Sequence, residues 1–223
     1  MLALALMNIT LQNLSVHVQE QIVQSHALTL LPPGLAIFGS ARIKDDHPNF
    51  KDAYNLAAFA AAHRVPVISG GGPGIMLAAN KGAFENNGIA VGFNIKLPHE
   101  QQSNTFQTHS FEYEHFAPRK MAFVSHSCAF AVYPGGYGTL DELFEVLTLV
   151  QTGKSIPCPI VLVDKQYWTG LVEWIKDQVT TRAMIGPSDM NLLHVVDNAE
   201  EAWAVLDQHM ISVRDQYALL SVQ

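Results

Sequence analysis

Charge is scarce in this chain. Asp, Glu, Lys and Arg make up 15% of its 223 residues, and 13 cations face 20 acids for a net charge of −7. A basic face able to track a phosphate backbone is therefore missing, and nucleic acid is excluded as an electrostatic partner. Cysteine is nearly absent: Cys128 and Cys158 are the two present, too few for a secreted disulfide scaffold, so a reducing cytoplasm is the expected compartment. No apolar run approaches the ~18 residues of a membrane span, so no membrane partner is expected. The ten histidines form no HExxH pair and no His/Cys spacing of a metal site. No catalytic metal and no cofactor are expected.

Hydrophobic residues, at 48%, are abundant. With so few charges, much of the chain must be buried in strands, core helices or a subunit interface. The opening Met1–Met7 run has an apolar tint but no basic flank or cleavage site, and polar Asn8 and Thr10 follow. It reads as an extension rather than a leader. Leu11, Leu14, Val18, Ile22 and Val23 recur at helical spacing until Pro32-Pro33, which predicts an N-terminal helical extension over residues 1–30.

Beyond it two textures alternate. Short β-branched or aromatic runs lie at 35–38, 65–68, 89–93, 128–133, 160–163 and 193–196. Longer alanine-rich or mixed segments lie at 50–63, 74–87, 118–126, 139–152, 167–180 and 198–210. Strand–helix alternation implies right-handed βαβ units and a mostly parallel sheet covered on both faces, an α/β domain over 31–223. In such sheets ligands bind beyond the carboxyl ends of the strands. Three glycine turns stand at such ends: Gly39-Ser40-Ala41-Arg42, Gly70-Gly71-Gly72-Pro73-Gly74, and Pro134-Gly135-Gly136-Tyr137-Gly138-Thr139. Together they predict a nucleotide-sized crevice. The last leads into a helical pattern, so bare backbone and helix dipole can grip a phosphate, with the carboxylate of Glu142 close by.

Two motifs mislead. The Gly70–Gly74 turn resembles a dinucleotide fingerprint, but Gly92-Phe93-Asn94 stands where an acidic residue should follow, which makes NAD a second choice. Thr152-Gly153-Lys154-Ser155 resembles the tail of a P-loop but ends a helix instead of opening one. Glu142 itself has two readings. Thr139 and Glu142 have the spacing of a capping box, which needs no chemistry; the alternative is catalysis, and local pattern alone does not choose among Asp141, Glu142 and Glu145 for it. Arg119-Lys120 opens a helix, where cations oppose the dipole, so a carboxylate or anion partner is expected nearby.

These residues carry a resemblance. Pro134–Glu142 is similar to the PGGxGTxxE signature of the LOG ("lonely guy") proteins, cytokinin riboside 5′-monophosphate phosphoribohydrolases long labelled lysine decarboxylases. Phe38–Arg42, Gly70–Met76, Asn94–Pro98, Arg119-Lys120 and Leu147–Lys154 resemble the bacterial members, and residues before about 30 lie outside the likeness. The resemblance implies a Rossmann-like three-layer sandwich, usually a homodimer, acting on a nucleoside 5′-monophosphate. Matched motif to motif, it implies a catalytic pair, Arg119 and Glu142. It implies substrate or phosphate binding by Ser40, Gly71, Gly72, Gly74, Lys120, Gly135, Gly136, Gly138 and Thr139. Leu77, where many members carry an acid, and Pro118 depart from the pattern. A nucleotide carrier without turnover is the alternative on such a fold. A decarboxylase would need a Schiff-base lysine that no motif singles out.

Overall fold

A computed structural model describes residues 31–97 and 103–220, together with Val18 and Leu28. The expected helical extension over 1–30 lies otherwise outside these residues; Leu28 is helical and buried against the sheet. The elements run β1 (Gly34–Phe38), α1 (Pro48–Ala62), β2 (Val67–Ser69), α2 (Ile75–Glu85), β3 (Ala90–Ile95), β4 (His109–Tyr113) and α3 (Phe116–His126). They continue with β5 (Ser127–Val132), α4 (Tyr137–Gln151), β6 (Ile160–Val163), α5 (Lys165–Trp174), β7 (Leu193–Val196) and α6 (Ala199–Leu220). All seven strands join one sheet in the order β4-β3-β2-β1-β5-β6-β7, and every neighbouring pair is parallel.

The six expected strands are present, and β4 is an addition. It is an edge strand with Phe111 and Tyr113 buried and His109, Ser110 and Glu112 exposed. That alternation is the pattern of a half-covered strand, not the continuous apolar run of the buried ones.

Period two divides the core. Leu35 and Ile37 of β1 face α1, α2 and α6, while Ala36 and Phe38 face α3, α4 and α5. On the first face the helices approach closely because their contacts are small. A Cβ on Gly82 would lie 2.3 Å from the Tyr54 carbonyl of α1. On the second face larger side chains fill the space, with Phe38 edge-on to Phe123 at 5.0 Å and Trp168 fully buried. Three layers result. The chain winds outward from β1 in both directions, so the gap between β1 and β5 is the switch point where such sheets open a crevice.

Candidate active site

Loops after β1, β2, β3 and β5 close on one cleft of about 680 Å³ at the carboxyl ends of these strands. Its floor and walls carry Ser40 and Arg42, Gly70–Gly72, Asn94, Arg119, Gly136–Thr139 and Glu142, with Met76, Ile95, Phe116 and Leu140 as apolar surface.

The start of α4 decides between the two readings of Glu142. The helix begins at Tyr137, with Gly136 as its N-cap and no side-chain cap. Thr139 is thus the third helical residue and Glu142 the sixth, beyond the first turn. A capping box needs the Thr at the cap itself, so the spacing that suggested one is fortuitous. The cap position is Gly136, not Thr139.

Glu142 instead faces Arg119 of α3, with Oε1 3.9 Å from Nη1, and the two side chains are 18% and 8% exposed. Arg119 is anchored on two sides: Nε donates to the Phe93 carbonyl at 2.7 Å and Nη2 to the Gly70 carbonyl at 3.3 Å. Its guanidinium also lies over the Phe123 ring, 5.3 Å from the centroid. A Cβ on Gly70 would fall 2.3 Å from Nη2, so a side chain there would displace the guanidinium. Burial pushes the Glu142 carboxyl up from its ordinary 4.5 to about 7. Arg119 and Lys120 pull against that rise, and Asp141 and Glu145 add to it. Burial lowers the pKa of Arg119, and Glu142 opposes the shift. A carboxylate that titrates near neutrality in a cleft is suited to acid–base or electrostatic work.

The glycines of the α4 turn are not equivalent. A Cβ on Gly135 would lie 2.1 Å from Thr139 Oγ1, so that position is dictated by packing. Gly136 and Gly138 have open space where a Cβ would be, and neither has a positive φ. Nothing in the protein itself demands glycine there; both bare positions face the cleft, where a ligand could approach the backbone. The N–H groups of Tyr137, Gly138 and Thr139 precede the first helical bond, from Leu140 N to Gly136 O at 3.0 Å, and sit at the positive end of the dipole.

Of the residues expected at the site, Arg119, Glu142, Ser40, Gly71, Gly72, Gly136, Gly138 and Thr139 line this cleft. Three do not. Gly74, at φ +67, caps α2 against the Ser40 carbonyl. The Gly135 carbonyl accepts from Tyr167 Oη at 2.6 Å. Lys120 lies in a neighbouring groove, paired with Asp141 at 3.2 Å and Glu145 at 3.3 Å. Carboxylates near both members of Arg119-Lys120 answer the dipole argument made for them. The two departures have local explanations. Leu77 packs on the core side of α2, away from the cleft. Pro118 sits in the first turn of α3, where a missing N–H has no helical partner to lose. Among the described residues no group of three or more His, Cys, Asp or Glu side chains could hold a metal ion.

The residues not foreseen are amides. Asn94 is 6% exposed at the cleft wall, and its Nδ2 donates to Gln107 Oε1 at 3.0 Å and Ser110 Oγ at 2.9 Å. Gly71, at φ +73, leaves the room Asn94 needs, since a Cβ would lie 2.0 Å from its Oδ1.

A family model described as "Possible lysine decarboxylase" matches residues 76–206, which include Arg119, the α4 turn and Glu142. A cytokinin riboside 5′-monophosphate phosphoribohydrolase of Mycobacterium marinum is 31% identical over 147 residues, covering 66% of this chain and 78% of that protein. The corresponding LOG1 protein of Arabidopsis thaliana is 28% identical over 168 residues, 73% of this chain and 77% of its own. The molybdenum cofactor carrier protein of Chlamydomonas reinhardtii superposes with a TM-score of 0.58 at 21% identity, over 81% of this chain and 99% of that one, a likeness of fold.

Proposed function

The chain belongs to the LOG family, and from that membership we propose that it hydrolyses the N-glycosidic bond of nucleoside 5′-monophosphates, with Arg119 and Glu142 as the catalytic pair. The products are the free base and ribose 5-phosphate. The observation that carries the reading is the buried Arg119–Glu142 pair beside a bare glycine backbone in one cleft.

The chemistry follows from charge. As the C1′–N bond breaks, the bonding pair leaves with the base and positive charge grows on the ribose. Ionised Glu142, itself largely buried, offsets that charge. Water supplies the oxygen that ends on C1′, and its proton passes, directly or through Glu142, to the departing base. The amides at the start of α4 hold the 5′-phosphate, so binding energy remote from the reaction orients the scissile bond. Arg119 keeps Glu142 ionised against its burial.

Incubation with a panel of nucleoside monophosphates, with chromatography of the released base, tests this directly. AMP should be cleaved with kcat/KM at least on the order of a hundredfold above adenosine, because the phosphate grip orients the bond. Equal turnover of the two would refute that grip. Saturable AMP binding with no base released would point to a carrier.

A pyridoxal phosphate decarboxylase does not fit these residues. It needs a lysine at the reacting centre, and none lines the cleft among the described residues. Lys120 is engaged by Asp141 and Glu145, and Lys96 pairs with Glu112 and Glu114 at the sheet edge.

The enzyme works as a homodimer in this reading. Helices α3 and α4 expose the apolar side chains of Phe116, Met121, Tyr137 and Phe144, which suit an interface with a second copy. Light scattering at micromolar concentration should give twice the 24.5 kDa chain mass; a monomer mass refutes it. The free thiols of Cys128 and Cys158 suit a cytoplasmic protein. No helix among the described residues is long and apolar enough to cross a membrane.

A further inference from the structure

Behind the Gly70–Gly72 turn stands a set of side-chain amides that the proposed chemistry does not use. Asn104 Nδ2 donates to the carbonyls of Gly71 at 2.9 Å and Gly72 at 3.1 Å, and to Asn80 Oδ1 at 3.0 Å. The backbone N–H of Asn104 donates to the Gly71 carbonyl as well, at 2.8 Å, and Gln107 Nε2 adds a third donor there at 3.1 Å. Asn80 Oδ1 in turn accepts from Ser69 Oγ at 2.7 Å, just before the turn. Three donors on one carbonyl fix its direction, and the Gly70–Gly71 peptide plane is held separately, because Gly71 N–H donates at 3.1 Å to the Ser69 hydroxyl that Asn80 Oδ1 accepts from. The preceding carbonyl, Gly70, is the one that receives Arg119 Nη2.

The geometry points to Asn104 as a positioning residue for the reaction, an inference that rests on the phosphoribohydrolase reading. By holding the Gly71 and Gly72 carbonyls and, through Asn80, the Ser69 hydroxyl that receives Gly71 N–H, it sets the Gly70 carbonyl, which seats Arg119 opposite Glu142. Asn104 touches neither the reacting atoms nor Glu142. Glu142 is faced by Arg119 and Lys120 from α3 and by Asp141 and Glu145 on its own helix. Tyr113 of β4 faces Arg119, and Arg42 lines the cleft from the β1 loop. Of these groups, Arg119 is the one bonded to the turn. A slack turn therefore lets Arg119 retreat and moves the ionisation of Glu142 to higher pH.

Asn104→Asp is nearly isosteric and keeps the Oδ1 that accepts from Phe106 N at 3.1 Å, but it loses the donor aimed at three oxygens. Displacement of a catalytic group by about 1 Å can cost on the order of a hundredfold in rate. The Asp variant should lose roughly tenfold or more in kcat on AMP, with KM within about threefold, and the acid limb of kcat/KM should move to higher pH. Thr108→Val is the control on the same segment. It removes the bonds between Thr108 Oγ1 and Ala90, at 2.9 and 3.0 Å, away from the cleft, so it should melt at lower temperature and keep kcat and the pH profile. Should the Asp variant fail to fold, Gln107→Met removes one donor on Gly71 and should shift kcat and the acid limb the same way by less.

A readout independent of turnover is the Arg119 Nε–H, which donates to Phe93 O and should exchange slowly in nitrogen-15 NMR. Asn104→Asp should speed that exchange and Thr108→Val should not. A wild-type protein that frees no base would refute the hydrolase reading and leave this arm to judge Asn104. An Asn104→Asp protein with wild-type kcat, with a change in KM alone, or with unchanged protection of Arg119 overturns the inference.

Discussion

Glu142→Gln should slow the release of base from AMP by on the order of a hundredfold or more at saturating substrate, while substrate still binds. The substitution keeps the shape and removes the charge. If the carboxylate acts on the ribose cation only as it develops, kcat and kcat/KM should fall together. The second half of this result concerns stability. Folding raises the Glu142 pKa from 4.5 to about 7, so burial disfavours the ionised form. The stability tied to the protonated group is full below 4.5 and is lost as pH rises through about 7. Glutamine does not titrate. The variant should therefore gain on the wild type between these values, by roughly 3 kcal/mol in all, and level off above. Loss of a partner for Arg119 adds an offset, but arginine stays charged throughout, so the slope with pH belongs to Glu142. Thermal melts at pH 5 and pH 8, with AMP turnover, measure both halves. Near wild-type base release would remove Glu142 from the mechanism.

The sequence showed the sheet but not the anchoring of the site, for a physical reason. A parallel strand covered on both faces is a continuous apolar run, and Ile160–Val163 needs no context to be recognised. β4 is covered on one face only, and its His109-Ser110-Phe111-Glu112-Tyr113 alternation is short enough to pass as an aromatic loop. Local pattern misled at α4, where Thr139 and Glu142 mimic a cap although the cap position is Gly136. The Arg119–Glu142 pairing came from family resemblance, since nothing local joins residues on different helices. The anchoring of Arg119 could not be read at all: its acceptors lie 26 and 49 residues away at Phe93 and Gly70. The amide set of Asn80, Asn94, Asn104 and Gln107 is likewise assembled by the fold. One trace of it was visible, Asn94 in place of the acid a dinucleotide site would carry.

Arg119→Ala should abolish most turnover at neutral pH, again by on the order of a hundredfold, through a different cause. Arg119 is the largest influence opposing the rise in the Glu142 pKa. Without it that pKa climbs further above about 7, and the carboxyl is protonated at the pH of the assay. The loss should then be partly recovered as pH is raised toward 9, because deprotonation restores the charge that the mechanism needs. Glu142→Gln should show no such recovery. Stability should move the opposite way: ionising a buried carboxyl that has lost its cation becomes more unfavourable as pH rises. Arg119→Ala should therefore melt progressively lower than wild type across the same range. Arg119→Lys separates charge from geometry. An ammonium can offset Glu142 but cannot span the Phe93 and Gly70 carbonyls as the planar guanidinium does, so it should recover part of the pH profile and little of kcat. If alkaline pH restores nothing to Arg119→Ala, Arg119 acts on the substrate itself rather than by keeping Glu142 ionised.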